Sequence, residues 1–110
     1  MTYYLFLDDE RMPGDWYKNK VVFVARNYNQ FVATIRERGW PVQISFDHDL
    51  GDGPTGADCA KWLYEFADES NTFPPANFSW CVHSQNPIGA ANIRGHMKHL
   101  ERFLDFVHNG

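Results

Sequence analysis

Apolar and polar residues follow one another in short blocks along the chain, and four apolar blocks have the composition of β-strands. These blocks are Tyr3–Leu7, Val21–Val24, Val42–Phe46 and Phe78–Val82. The first block is continuously apolar and bounded by charge, which is typical of a strand buried on both faces. The third block alternates apolar residues with Gln43 and Ser45, which predicts a strand with one more polar face.

Three other segments repeat apolar residues at helical spacing. The repeating residues are Tyr28, Val32 and Ile35 in the first segment, Cys59, Leu63, Phe66 and Ala67 in the second, and Ile93, Met97, Leu100, Leu104 and Val107 in the third. Asn27 or Asn29 can cap the first predicted helix, and Gly39 stands where that helix would end. Thr55 and Asp58 have the spacing of a capping box at the start of the second helix.

The segment Glu10–Lys20 joins the first two strands and contains the turn-forming run Met12-Pro13-Gly14-Asp15. Its roughly ten residues are too few for a crossover helix, so an irregular loop is expected there. The resulting order is strand, strand, helix, strand, helix, strand, helix. That order predicts an α/β fold with a mostly parallel sheet of about four strands and about three helices packed on its faces.

Length and composition fit one domain that comprises residues 1–110. Hydrophobic residues make up 44% of the chain and aromatic residues 16%, which supplies a core that needs no disulfide. Cys59 and Cys81 lack CxxC spacing, and the start Met1-Thr2-Tyr3 has no signal-peptide pattern. We therefore expect two packed, reduced thiols in a cytoplasmic protein.

Charge and hydropathy argue against two classes of partner. The net charge of -4 is the wrong sign for broad binding to duplex DNA, although it permits a small anionic ligand held locally. No apolar stretch approaches the roughly 20 residues of a membrane-spanning helix, so no membrane partner is expected. The sequence leaves the oligomeric state open.

Chemically reactive side chains follow three of the four predicted strands. The three strand ends carry Asp8-Asp9-Glu10-Arg11, Asp47-His48-Asp49 and His83-Ser84-Gln85-Asn86. Ligands of open parallel sheets bind beyond the carboxyl ends of the strands, where the strand order reverses. We therefore predict one crevice that these three strand ends share.

Four carboxylates in that crevice would repel one another unless a cation or a proton intervened. Asp8, Asp9, Asp47 and Asp49 are the candidate metal ligands, and their oxygens suit Mg²⁺ or Mn²⁺. The alternative is that Asp9 and Asp49 only cap local turns, which would leave a weak site.

Two histidines and three other polar residues complete the predicted site. His83 is the leading general acid or base and His48 the second candidate, because imidazole titrates near neutral pH. The alternative is that neighbouring acids satisfy each imidazole, which then only holds a loop. Arg11, Ser84 and Asn86 are the predicted phosphate-binding residues.

The motifs Leu7-Asp8-Asp9-Glu10-Arg11, Phe46-Asp47-His48-Asp49-Leu50-Gly51 and His83-Ser84-Gln85-Asn86-Pro87 together resemble the cyclic-phosphate processing receiver domain family, small receiver-like proteins of bacteria and their phages. The resemblance implies a flavodoxin-like or receiver-like three-layer sandwich. It also implies that Asp8 and Asp9 are similar to the metal-binding acid pair of receivers, and Asp47 to the acid that accepts phosphate. His48, Asp49 and His83 go beyond an ordinary receiver and imply the processing of cyclic phosphates.

Two departures from an ordinary receiver bear on function. The pattern contains no fifth strand with the lysine that receivers use at their phosphorylation site, and the first connection is too short for the first receiver helix. Both departures weaken a phosphorelay hypothesis, in which Asp47 would be the phosphoacceptor.

Two hypotheses of different classes follow. The first is a metal-dependent phosphoesterase that acts on cyclic phosphates of nucleotides or RNA ends, with Asp47 and the histidines as catalytic residues. It would be either a bacterial RNA-end enzyme or a phage protein that degrades cyclic nucleotides to counter host defence. The second is a non-catalytic module that sequesters a cyclic nucleotide or docks on a partner protein. Trp16, Tyr17 and Trp40 support the second hypothesis if they stack on a base, and core packing is their alternative role.

Overall fold

The computed structural model describes residues 2–109, so Met1 and Gly110, the ends of the predicted domain, lie outside the described residues. Within that range the strands are β1 (Tyr4–Leu7), β2 (Val22–Ala25), β3 (Gln43–Phe46) and β4 (Ser79–Val82). The α-helices of the same range are α1 (Tyr28–Arg38), α2 (Gly56–Ser70) and α3 (Pro87–Asn109). A 3₁₀ turn, Asp15–Tyr17, lies in the loop between β1 and β2.

The strands form one parallel sheet in the order β2-β1-β3-β4. Leu7 at the end of β1 pairs with Ala25 on one side and with Phe46 on the other, and Phe46 pairs with Val82. The strands therefore end in register, and the residues that follow them lie along one edge of the sheet. The predicted receiver-like α/β fold is confirmed.

Local hydrogen bonds start and stop the helices where the sequence predicted. The Asn27 side chain accepts the Gln30 N–H at the start of α1, and Gly39 ends that helix with a φ of 84°. At the start of α2, Thr55 and Asp58 form the predicted capping box. These caps satisfy backbone N–H groups that the first helical turn leaves without partners.

One face of the sheet carries the hydrophobic core. Strand side chains alternate between the two faces, and the residues on this face are Leu5, Leu7, Ala25, Ile44 and Phe46. Phe31 of α1, Leu63 of α2 and Met97 of α3 are fully buried in the same cluster. The three helices named above therefore cover this face of the sheet.

The loop between β1 and β2, and no α-helix of residues 2–109, covers part of the opposite face, where a three-layer sandwich would have helices. Tyr17 packs edge-on against Phe6 and Tyr4, at ring-centroid distances of 5.7 and 6.2 Å. Trp16 packs edge-on against Tyr4, and the Lys20 ammonium lies 4.3 Å from a Trp16 ring centroid. An irregular loop was predicted for this connection, and its 3₁₀ turn supplies the aromatic cover.

The surroundings of three side chains, Cys81, Val107 and Trp40, differ from those that the sequence predicts. Cys59 is buried as expected, but Cys81 is exposed because it lies on the sheet face that the helices leave open. The predicted apolar stripe of α3 is not buried along its whole length, since Val107 in the last turns of the helix is 37% exposed. Trp40 packs against Phe66 and Phe78 near the amino ends of the strands, far from the predicted crevice.

No helix in residues 2–109 is both long enough and apolar enough to span a membrane.

Two glycines give a matched test of helix packing. A Cβ at position 56, where α2 starts, would lie 1.9 Å from the Asp47 carbonyl oxygen, whereas a Cβ on Gly95 of α3 would meet no atom within 4 Å. We expect Gly56→Ala to lower the free energy of unfolding by about 1–3 kcal/mol because the backbone must move. Gly95→Ala should raise it by up to about 1 kcal/mol through helix propensity. Urea unfolding measures both, and a neutral Gly56→Ala would contradict the close approach.

Candidate functional site

The Asp8 carboxylate lies at the centre of the site and is almost fully buried, with 1% of the residue exposed. Its Oδ1 accepts the backbone N–H groups of Glu10 and Arg11, each at 2.8 Å, because the chain turns back directly after β1. Its Oδ2 lies 2.9 Å from His83 Nε2. Burial alone would raise the pKa of Asp8, but these hydrogen bonds outweigh burial and hold the pKa below its usual value.

Asp47 follows β3 beside Asp8, and its pKa shifts in the opposite direction. Burial, and then the negative charge of Asp8, raise the pKa of the Asp47 carboxyl. One oxygen of Asp47 accepts the His48 backbone N–H at 2.9 Å, which lowers the pKa only in part. The site therefore holds one carboxylate stabilised as an anion and a second whose charge is opposed.

Asp8, Asp47 and His83 each offer one ligand atom, and the three atoms lie within 4.8 Å of one another. This donor set fits a divalent cation, because positive charge would relieve the repulsion that raises the pKa of Asp47. Carboxylate oxygens are the ligands that Mg²⁺ and Mn²⁺ prefer. A cation at this position would be held by residues from the ends of β1 and β3, with His83 beside them.

A cleft of about 270 Å³ opens over these carboxylates. Its lining residues are Asp8, Asp9, Glu10, Arg11, Asp47, Asp49 and Gln85. Asp9 is partly exposed and Asp49 is exposed, and neither belongs to the group of three close ligand atoms. The structure thus places both acids, predicted as metal ligands, in the wall of the cleft.

His83 follows β4, and its ring reaches across β3 to β1. Nδ1 lies 2.7 Å from Ser45 Oγ, and the ring stacks on Phe6 at a centroid distance of 4.8 Å and an interplanar angle of 5°. Ser45 Oγ also accepts a weak hydrogen bond from the Cys81 thiol at 3.3 Å. One imidazole therefore connects the carboxyl end of β4 to its neighbour β3 and, beyond it, to β1.

His48 is turned toward α3 and does not line the cleft. A Cβ at Gly89 would lie 2.2 Å from the His48 ring, so the ring packs directly against the backbone of the first turn of α3. Within residues 2–109, the buried Nδ1 of His48 has no hydrogen-bond partner. This position supports a packing role and lends no support to the catalytic role predicted for His48.

The predicted phosphate-binding residues occupy two settings. Arg11 is exposed in the wall of the cleft. Ser84 Oγ accepts the Asn86 N–H at 3.1 Å, and Asn86 Oδ1 accepts the Gly89 N–H at 3.0 Å. Ser84 and Asn86 thus shape the start of α3, and their predicted contact with phosphate stays a prediction.

Sequence reasoning missed Arg26 and Ser45. The Arg26 guanidinium donates to the backbone oxygens of Asp8 and Arg11, at 3.0 and 2.7 Å, and so fixes the loop that holds the Asp8 carboxylate. Arg26 follows β2 directly, so the expectation that polar residues after the strands form the site applies to Arg26 as well as to Asp8. Ser45 could have been noticed as a polar residue inside a strand.

A parallel sheet with acids beyond its two central strands places the chain among the receiver-like α/β proteins. The family model of the cyclic-phosphate processing receiver domain matches residues 3–99. The chain belongs to that family, and it is a receiver-like domain associated with cyclic-phosphate processing. Searches of curated proteins and of solved structures gave no match.

Asp47→Asn should stabilise the cation-free protein at neutral pH. Because folding raises the pKa of Asp47, the ionised carboxylate opposes folding above that pKa, and this cost disappears below the unfolded pKa of about 3.9. The asparagine keeps an oxygen that can accept the His48 N–H. We expect Tm to rise by about 2–4 °C at pH 7 and to be unchanged near pH 3.

Thermal unfolding in a chelating buffer measures this shift, with Asp68→Asn on the exposed surface of α2 as the control. An Asp47→Asn protein whose Tm is lower than wild type at pH 7 would contradict the charge repulsion.

Proposed function

We propose that the protein is a metal-dependent phosphoesterase that opens cyclic phosphates on nucleotides or RNA ends. The proposal is supported chiefly by one observation. The Asp8 and Asp47 carboxylates lie close together below an open cleft, and Arg11 is in the wall of that cleft. Membership of a family associated with cyclic-phosphate processing supports cyclic phosphates as the substrate class.

The charge of the cleft supports a divalent cation as part of the working site. Five of its seven lining residues are acids, namely Asp8, Asp9, Glu10, Asp47 and Asp49. A phosphate would be repelled from this surface without a compensating positive charge. When bound, Mg²⁺ or Mn²⁺ would supply that charge and polarise the phosphoryl oxygens.

In this proposal the protein's own residues hold and orient the reactants. Asp8 and Asp47 are the direct ligands, whereas Asp9 and Asp49 bind cation-coordinated waters from the cleft wall. Arg11 binds the phosphate through its planar guanidinium, and the Ser84 hydroxyl donates to it from the start of α3. Holding the cyclic phosphate in one orientation accounts for much of the expected rate enhancement.

A phosphorelay role is less well supported by the described residues. Among residues 2–109, the lining of the cleft includes no lysine. Acceptance of a phosphoryl group by Asp47 would not require the additional acids in the cleft wall. It would also not require the hydrogen-bonded imidazole of His83.

Hydrolysis of a panel of cyclic nucleotides and RNA 2′,3′-cyclic phosphates tests the proposal. We expect turnover of at least one panel member with Mg²⁺ or Mn²⁺ and its loss in a chelator. Asp8→Asn and Asp47→Asn should each lower kcat/KM by about 100-fold or more, since each removes charge from the cation site. Asp68→Asn is the matched control and should retain wild-type turnover, and full activity in Asp47→Asn would refute the assignment.

A second candidate function is binding without chemistry, and the exposed Trp16 favours it. This indole is 57% exposed and has the Lys20 ammonium beside it, an arrangement that suits a base together with its phosphate. Titration calorimetry followed by denaturation and chromatography separates the candidates. A sequestering protein releases the cyclic nucleotide intact, and Trp16→Ala lowers its affinity by about 5–100-fold; recovery of a linear product excludes this function.

A further inference from the structure

We propose that His83 is a positioning residue that donates its Nε2–H to Asp8, and that it is neither a cation ligand nor a proton carrier to substrate. The hydrogen bond from His83 to Asp8 does not depend on whether the protein is an enzyme. The expected effects on turnover rest on the proposed phosphoesterase function.

The hydrogen bonds around Asp8 determine which ring nitrogen carries the proton. Asp8 accepts two backbone N–H groups at Oδ1 and faces His83 Nε2 across 2.9 Å at Oδ2. A carboxylate in that environment is an acceptor only, so Nε2 must be the donor. In the neutral ring Nδ1 is then an acceptor, and Ser45 must donate its hydroxyl proton to it across 2.7 Å.

The hydrogen bond of the Cys81 thiol is consistent with Ser45 as the donor to His83 Nδ1. It donates to Ser45 Oγ at 3.3 Å, which leaves the hydroxyl proton of Ser45 for the imidazole. The donors therefore run in one sense, from Cys81 through Ser45 and His83 to Asp8.

Both ring nitrogens of His83 are engaged, and its surroundings restrict any other role. Phe6 covers one face of the ring, and only 21% of the His83 side chain is exposed. A general base would need a free nitrogen lone pair toward substrate, and a cation ligand would need an unprotonated Nε2. The arrangement provides neither.

The positioning role follows from counting the lone pairs of Asp8. A carboxylate has about four acceptor positions, and the two backbone N–H groups and His83 fill about three of them. The remaining position is on Oδ2, the oxygen that His83 holds. His83 thus aims the one free lone pair of Asp8, and the cation set is composed of oxygen atoms, which favours Mg²⁺ or Mn²⁺ over Zn²⁺.

The tautomer of His83 can be measured directly in the full-length protein by ¹H–¹⁵N correlation spectroscopy of the imidazole rings at neutral pH. Spectra of His83→Gln identify the His83 signals among the five histidines. We expect a protonated Nε2, both without cation and with Mg²⁺. An unprotonated Nε2 in either state would overturn the proposal, whether or not the protein hydrolyses any phosphate.

Three substitutions separate a positioning donor from a ligand or an acid–base group. The amide of His83→Gln can donate from near the position of Nε2 but cannot carry protons to substrate. The shorter His83→Asn reaches only the position of Nδ1, and His83→Ala donates nothing. Calorimetry with MnCl₂ should show His83→Gln within about threefold of wild type and the other two weakened by about 10–100-fold.

Turnover provides the second readout once a substrate is found. A positioning role predicts that His83→Gln retains kcat within about tenfold, whereas loss of an acid–base group would cost about 100–10,000-fold. Equal losses of Mn²⁺ affinity or of kcat in His83→Gln and His83→Ala would overturn the proposal. Absence of turnover in the wild-type protein would instead refute the phosphoesterase function, and the tautomer measurement would still decide the role of His83.

Discussion

The satisfaction of one buried carboxylate, Asp8, is the constraint on which the site depends. An aspartate with 1% exposure would be very costly to keep ionised without hydrogen bonds to both oxygens. Two of its donors require the chain to turn back after β1, and the third requires His83 to cross over β3 from the end of β4. Arg26 then fixes the same turn from the end of β2. Residues that follow β1, β2 and β4 are therefore positioned by hydrogen bonds around one side chain and the turn that holds it.

The unequal environments of Asp8 and Asp47 give the site its chemical character. Hydrogen bonds stabilise the charge of Asp8, whereas burial and the neighbouring Asp8 oppose the charge of Asp47. Two nearby acids whose pKa values are pushed apart mark a place where a cation or proton is expected to bind. Such a pair is not needed to hold the sheet together, since the hydrophobic core lies on the helix-covered face.

Features with short-range causes could be predicted from the sequence. The capping box of Thr55 and Asp58 and the glycine stop at Gly39 depend on residues a few positions apart, and the structure has both. The shared strand edge also followed, because parallel strands in register end together.

Side-chain direction required the tertiary structure. His48 turns toward α3 because Gly89 lacks a Cβ there, a fact that position 48 alone does not reveal. Cys81 is exposed because the helices cover only the other face, and its apolar neighbours suggested a packed thiol. The β1–β2 loop that partly covers this open face packs its aromatic side chains on Tyr4 and Phe6, away from the helix-packed core. Its length and composition can therefore change without repacking that core.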